Sequence, residues 1–382
     1  MPWQEVSTMS LRQEFVALAS QAGANKRELA RHFGISPQTA YKWLHRAAAQ
    51  PELPLADRSR RPLHSPARTP THVEQAVLAV RSAHPAWGAR KIRARLLASA
   101  QLPTAELPAP STITAILRRH GQLDPAESLK HKPQQRFEHA APNQLWQMDF
   151  KGHFALRNGR CHALTVLDDH SRFLLCLSAC ADEQAGTVRE RLTGIFERYG
   201  LPERLLTDNG SPWSGGVEHP WTALSVWLLR VGVRVIHGRP YHPQTQGKDE
   251  RLHRTLKVEV LGARQFADLA VVQQAFERWR DVYNQQRPHE ALDMAVPASR
   301  YKVSWRKMPK ELAPLEYSPG DIVRKVQAKG VITYHSKEYL IGNAFRGMPV
   351  GLRASNTDGL LEVYFCQQKI GEIDLRAEAG LA

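Results

Sequence analysis

The chain has 382 residues with 52 Lys/Arg against 37 Asp/Glu, a net charge of +15, and a pI near 9.9, a balance that favours a polyanionic partner. A 42% apolar fraction with 23% charged residues excludes a disordered chain and supports about two to four globular domains. No run reaches the roughly 18 apolar residues of a membrane helix and no signal peptide precedes the first helix, while Cys161, Cys176, Cys180 and Cys366 show no CxxC pair or zinc-ligand spacing, so a cytoplasmic protein with reduced thiols is expected.

The positive charge is concentrated early. Residues 1–140 hold 20 Lys/Arg against 10 Asp/Glu, residues 141–320 hold 24 against 20, and the remainder is near neutral. Residues 8–50 read as a helix-turn-helix domain. A first helix over about 11–21 is broken at Gly23, a short second helix ends at Gly34, and Ser36 with Pro37 opens a third. On that third helix Ala40, Trp43 and Leu44 face a core, whereas Gln38, Thr39, Lys42 and Arg46 face out, as a recognition helix in a major groove requires. Residues 51–70 form a Pro/Arg-rich linker containing Arg58, Arg60 and Arg61. It reads either as an extended arm along a DNA groove or as a solvated spacer. Residues 71–122 read as a second helix-turn-helix domain, in which Arg90 and Lys91 open a helix, and 123–141 is a polar hinge.

From about residue 142 the pattern becomes α/β. Strands are expected over 145–154, 161–167 and 173–177, then a helix over 183–199, a short strand at 204–207, a helix at 221–231, a strand at 233–236 and a helix beginning near Glu250. Three adjacent strands followed by alternating helices and strands suit a mixed sheet covered on both faces over 142–303. Short alternating segments over 318–378 suggest a small β-barrel. The fold class is therefore multi-domain: all-α helix-turn-helix units, a central α/β core and a terminal β-barrel.

Three acids in the core segment carry the chemistry. Asp149 sits mid-strand, where an uncompensated carboxylate is costly. Asp208 ends a short strand, and Glu250 opens a helix among Lys248, Arg251, Arg254 and Lys257. Three carboxylates can hold two divalent ions, Mg²⁺ or Mn²⁺, of the kind that drive phosphodiester exchange. Asp149 is assigned as the bridging ligand, with Asp208 on one ion and Glu250 on the other. The surrounding cations are assigned to phosphate. Asp249 is the rival to Glu250, because neighbouring helical side chains point about 100° apart and one alone can face the site.

The runs Trp146-Gln147-Met148-Asp149-Phe150, Leu167 to Phe173, Thr207-Asp208-Asn209-Gly210 and Tyr241 to Lys257 resemble the retroviral-integrase-like catalytic core. More closely, they resemble that of bacterial insertion-sequence transposases of the DDE class. His84 to Ile92 resembles the second DNA-binding unit of that group, and Tyr283 to Leu292 the segment after its core. The resemblance implies an RNase-H-like fold and a metal triad at Asp149, Asp208 and Glu250. The family's usual spacing from the second Asp falls at Gln244, so an insertion in the Ser211–Pro220 loop is implied.

It further implies a transposase that binds terminal inverted repeats, nicks their 3′ ends and joins them to target DNA. The implied partners are double-stranded DNA and at least a second copy of the chain on that DNA, while the near-neutral terminal barrel leaves three roles open: DNA binding, oligomer contacts or engagement of an accessory ATPase; the expected location is cytoplasmic, at the bacterial nucleoid, with no membrane association. Two other readings compete: a non-catalytic DNA-binding regulator or target-selection protein with an inert core, and a nuclease for RNA strands, which two duplex-reading domains argue against.

Overall fold

The computed structural model describes residues 7–57, 68–123, 138–215, 220–238, 247–262 and 264–376. The chain divides into two compact units, Met1–Arg68 and Thr69–Ala382. In the first unit, α1 (Thr8–Ala19), α2 (Lys26–His32) and α3 (Pro37–Ala49) close around Phe15, Ala19, Ala30 and Ala40. Ser36 caps α3 by accepting the Thr39 amide at 3.2 Å, and Pro37 occupies the first turn. The Arg12 guanidinium stacks 4.1 Å above the Trp43 ring and donates to the Leu55 carbonyl at 3.0 Å. The segment after α3 is thereby tied back onto α1.

The second unit opens with α4 (Thr71–Ala83), α5 (Ala89–Ala98) and α6 (Pro110–Arg119), packed around Trp87, Ile92 and Ile113, which are fully buried. A five-stranded sheet follows: β1 (Leu145–Ala155), β2 (Arg160–Asp168), β3 (Leu174–Cys180), β4 (Arg204–Thr207) and β5 (Arg234–His237). The order is β3-β2-β1-β4-β5, with β1 antiparallel to β2 and β2 to β3, and β4 parallel to both β1 and β5. Side chains alternate across this sheet. Leu164 and Val166 meet α7 (Ala185–Tyr199) and α8 (Ala223–Arg230) on one face, whereas Ala163 and Leu167 meet α9 (Gly247–Leu256) and α10 (Leu269–Gln285) on the other. A π-helical turn, Lys257–Leu261, continues α9. Burying each large apolar side chain contributes roughly 1.5–3 kcal/mol, so two such cores fix the sheet between its helices.

After α11 (Pro297–Arg300) the chain forms β6 (Ile322–Lys325), β7 (Val331–Tyr334), β8 (Lys337–Leu340), β9 (Pro349–Ala354), β10 (Leu360–Phe365) and β11 (Gln368–Asp374). The expected β-barrel does not form here. These strands make an open four-stranded sheet, β11-β10-β9-β6, and a separate β7-β8 hairpin. All four residues of β6 are exposed, leaving it an edge that does not meet β11. The sheet instead buries its apolar face together with Val226 and Leu229 of α8. Trp221 donates its indole N–H to the Ile370 carbonyl at 3.0 Å, and the Gln368 side chain pairs with both backbone groups of Val235 on β5 at 3.1 and 3.2 Å.

Candidate active site

β1 is the central strand, and its alternation decides what Asp149 faces. Trp146 and Met148 enter the core under α7 and α8, whereas Gln147 and Asp149 turn toward α9. Asp149 stands opposite Thr165 of β2, whose hydroxyl donates to the Asp149 carbonyl at 3.0 Å. The same hydroxyl lies 2.9 Å from Nε2 of His253 on α9, and Nδ1 of that ring is 3.8 Å from the Asp149 carboxylate. Burial pushes the His253 imidazole down to about 4, so at neutral pH the ring is uncharged and this long contact is not an ion pair.

Asp208 follows the last residue of β4. Its carboxylate accepts the Gly210 amide at 3.0 Å, and its carbonyl lies 3.3 Å from Nδ1 of His237. The Asn209 amide donates to the Gly238 carbonyl at 2.8 Å, fastening this turn to the end of β5. Phe150 and Trp213 stack with centroids 5.7 Å apart in the core on the α7 and α8 side of the sheet. Burial first, then the fields of Asp208, Glu183 and Glu250, lift the Asp149 carboxyl to about 7. The negative fields of these carboxylates therefore fall on a part-buried Asp149, the electrostatic condition that a divalent ion relieves. Glu183, held 2.8 Å from Nδ1 of His162, is an acid the sequence patterns did not single out.

The first turn of α9 separates the two rivals. Glu250 is exposed, whereas Asp249 is 1% exposed and neither of its carboxyl oxygens has a hydrogen-bond partner among the described residues. Burial, then the nearby Asp149, holds the Asp249 carboxyl well above the usual carboxylate range. Asp249 is thus the interior acid, its protonated form favoured by burial, and Glu250 the solvent-facing one. Among the described residues no three His, Cys, Asp or Glu side chains gather closely enough to hold a metal. The donor chemistry nonetheless fits a hard cation: carboxylate oxygens around a raised Asp149, open to solvent through Glu250.

Lys248, expected on phosphate, is placed on Asp169 instead. The Asp169 carboxylate, 3% exposed, also accepts Gln147 Nε2 at 2.7 Å and the His139 amide at 2.9 Å. Gln147 lies two residues before Asp149 and Lys248 two before Glu250, so one buried carboxylate ties together the two elements that carry those acids. Its neighbour Asp168 accepts Ser171 and Asn143 amides at 2.8 Å, shaping the turn after β2.

Of the other expected DNA contacts, Gln38, Lys42, Arg90, Arg251, Arg254 and Lys257 are exposed. Thr39 and Arg46 are half-buried, Arg46 lying 5.2 Å from the Trp43 ring. Lys91 is half-buried and senses Arg287, Glu259 and Glu290; burial is the main reason its ammonium is pushed down to about 8. Arg58, Arg60 and Arg61 lie outside the described residues, as do Gln244 and the rest of the Tyr241–Gln246 run. Behind α9, Glu259 accepts Trp279 Nε1 at 2.7 Å and Arg287 Nε at 3.3 Å, and Tyr283 and His289 pack edge to face beside them, centroids 4.8 Å apart.

Comparison with known proteins covers most of the chain piecewise. Residues 11–62 match a helix-turn-helix domain and 39–117 a homeodomain-like domain. Residues 139–243 and 231–297 match integrase core domains, and 321–380 match the C-terminal domain of IS481 family transposases. An uncharacterized 31.7 kDa protein of insertion element IS407 from Burkholderia multivorans is 29% identical over 159 residues, 41% of this chain and 55% of that protein. An uncharacterized 39.2 kDa protein of insertion element IS476 from Xanthomonas euvesicatoria is 26% identical over 179 residues, 47% and 49% of the two chains. The chain thus spans about half the length of these curated relatives. Among solved structures, the HTLV-2 integrase catalytic core domain in complex with magnesium is similar at 14% identity and a TM-score of 0.34, covering 43% of this chain and 99% of that one. No described helix is long and apolar enough to cross a membrane. The chain thus carries helix-turn-helix, integrase-core and IS481-type terminal domains in one sequence, and over its middle it is similar to insertion-element proteins.

Proposed function

We propose that this protein binds the terminal inverted repeats of its element, nicks their 3′ ends and joins them to target DNA, acting as at least a dimer so that two ends are held together. The observation that carries this reading is the part-buried Asp149 carboxyl facing α9, which burial first and the fields of Asp208, Glu183 and Glu250 second lift to about 7. Such a perturbed acid beside a solvent-facing turn marks a functional site.

Asp149, Asp208 and Glu250 are the residues assigned to hold two Mg²⁺ or Mn²⁺ ions. Bound there, those ions would neutralise phosphate charge and acidify the attacking hydroxyl. The chain's own part is to hold the acids on rigid elements. β1 fixes Asp149, the Asn209–Gly238 bond fixes the turn of Asp208, and α9 presents Glu250. Exposed Arg251, Arg254 and Lys257 then meet phosphates beside the reacting bond, and the outward face of α3 meets the repeat. No nucleotide energy source is needed: nicking is hydrolysis, with water as the nucleophile, and in the joining step the target phosphodiester bond that breaks is matched by the one formed to the element's 3′ hydroxyl.

The competing reading, an inert core in a DNA-binding regulator, draws on the absence of three gathered ligands among the described residues. One experiment separates them. Labelled duplexes carrying the inverted repeats that flank the coding region are incubated with Mg²⁺ and wild-type protein, or with Asp149→Asn, Asp208→Asn or Glu250→Gln. Nicking and strand transfer by the wild type, lost in each variant while end binding persists, supports the transposase. Binding without metal-dependent nicking by the wild type supports the regulator.

A further inference from the structure

Trp305 is 87% exposed, a rare position for the largest side chain, which is mostly buried in proteins. It is not on a loose segment. On one side Ser304, 5% exposed, donates its hydroxyl to the Leu201 carbonyl at 2.7 Å and its amide to the Tyr199 carbonyl at 2.9 Å. On the other, the Arg306 guanidinium donates to the carbonyls of Pro202 and Gly232, and the Arg306 carbonyl accepts the Leu201 amide at 2.7 Å. Asn143 holds the Lys302 carbonyl at 2.8 Å. The strap runs so close to the core that a Cβ on Gly200 would sit 2.6 Å from the Arg306 carbonyl oxygen. Both neighbours of Trp305 are therefore fixed, and the indole is held out into solvent.

The charge around it is one-sided. Residues 294–310 contain no Asp or Glu but hold Arg300, Lys302, Arg306, Lys307 and Lys310. Lys302, Lys307 and Lys310 are exposed, and Val303 beside them is 53% exposed. The nearby acids are Glu203 and Glu311; Arg306 sits in the field of Glu203 and also of Arg234, a further exposed cation. An exposed indole with exposed lysines three residues before it and two and five after it suits a polynucleotide, which offers phosphates to the lysines and a base face to the indole. The strap lies on the turns that precede β4 and β5, whereas Asp208 follows β4. DNA held there is away from the reacting bond.

We propose that residues 302–310 form an accessory DNA-binding strap, with Lys302, Lys307 and Lys310 on phosphates and Trp305 stacked on, or wedged between, bases. The proposal rests on the reading of this chain as a DNA-handling enzyme, and its test reads contact rather than catalysis. Trp305 is replaced in the full chain by the photocrosslinking residue benzoylphenylalanine, and the protein is irradiated with labelled duplex or single-stranded DNA.

Crosslinking of position 305 to DNA is expected, and the two substrates distinguish wedging from stacking. Trp305→Ala should weaken binding about tenfold, with Trp305→Phe recovering most of it. Replacing the three lysines by Gln should lower the salt slope of binding by about 2 to 3. A crosslink only to a second copy of the chain overturns the proposal, as does wild-type affinity and salt slope in both variants. If the wild type fails to nick DNA but position 305 still crosslinks to it, the strand-transfer reading falls and the strap stands.

Discussion

Asp169 is a residue whose loss should be felt in the core without touching any assigned metal ligand. Asp169→Asn removes the charge that meets the Lys248 ammonium and leaves one oxygen, enough for either the Gln147 or the His139 donor, which reach different carboxylate oxygens. Breaking a buried pair by removing one partner costs about 3–5 kcal/mol, because the surviving charge is left uncompensated. Here the Lys248 side chain keeps 18% exposure and burial already lowers its ammonium pKa, so it can shed part of the cost by deprotonating. The expected loss is therefore at the low end, about 3 kcal/mol. Urea denaturation of Asp169→Asn, Lys248→Met and the double variant forms a cycle. The double variant should lose clearly less than the sum of the singles, since it removes both charges. Strand transfer should fall in the singles along with stability, because Gln147 and Lys248 each lie two residues from an assigned ligand. A loss under about 0.5 kcal/mol in Asp169→Asn, with no coupling in the cycle, refutes this account of how β1 and α9 are joined.

Four further outcomes are expected. Asp249→Asn replaces a buried acid whose protonated form burial favours by an amide of the same shape and should keep strand transfer; if it abolishes activity while Glu250→Gln does not, the third ligand is Asp249. Burial and converging carboxylates raise Asp149 from 3.8 to about 7, so without metal the folded state holds an extra proton between about pH 4 and pH 7, and this contribution to stability falls as pH rises through that window. Cation binding requires the ionised carboxylate, so the Mg²⁺-induced increase in Tm should grow from about pH 5 to about pH 8, and a pH-independent increase in paired melts with Mg²⁺ and EDTA would contradict it. Arg287→Met leaves Glu259 charged and buried, at 7% side-chain exposure, and should cost about 3–5 kcal/mol by urea denaturation; a loss below 1 would show the pair to be dispensable. Gly200→Ala places a Cβ 2.6 Å from the Arg306 carbonyl at φ +74° and should cost about 2–4 kcal/mol; a wild-type melting temperature would mean that the strap yields freely.

The parts of this molecule that follow local rules were legible in the sequence. Ser36 and Pro37 set the start of α3, and alternation along Leu145–Ala155 placed Asp149 on a strand whose neighbours are apolar. The motif around Asp208 and Glu250 supplied the candidate acids. What was not legible depends on partners far along the chain. Lys248 reads as a phosphate-binding cation until Asp169, 79 residues earlier, is seen to claim it. Lys91 reads the same way until Glu259 and Arg287 are placed beside it. The inward turn of Asp249 rests on helix phase, where a one-residue change rotates a side chain by about 100°. The alternating segments after Gly320 could not tell an open sheet from a closed one, since closure depends on pairing between the first and last strands rather than on either pattern. Trp305 gave no signal beyond its identity, because its exposure follows from how Ser304 and Arg306 are tied down.

The way the terminal sheet meets α8 and β5 bears on how the protein can be divided. Val226 and Leu229 share an apolar cluster with that sheet, and Gln368 occupies the outward backbone groups of Val235 on an edge strand. A fragment cut after the integrase core would uncover both at once, leaving oily helix surface beside an unpaired strand, the combination that recruits other chains into aggregates. Solubility of the isolated core should therefore depend on keeping residues up to about Asp374, and surface charges introduced at Val226 and Leu229 would be the substitute when the sheet is removed.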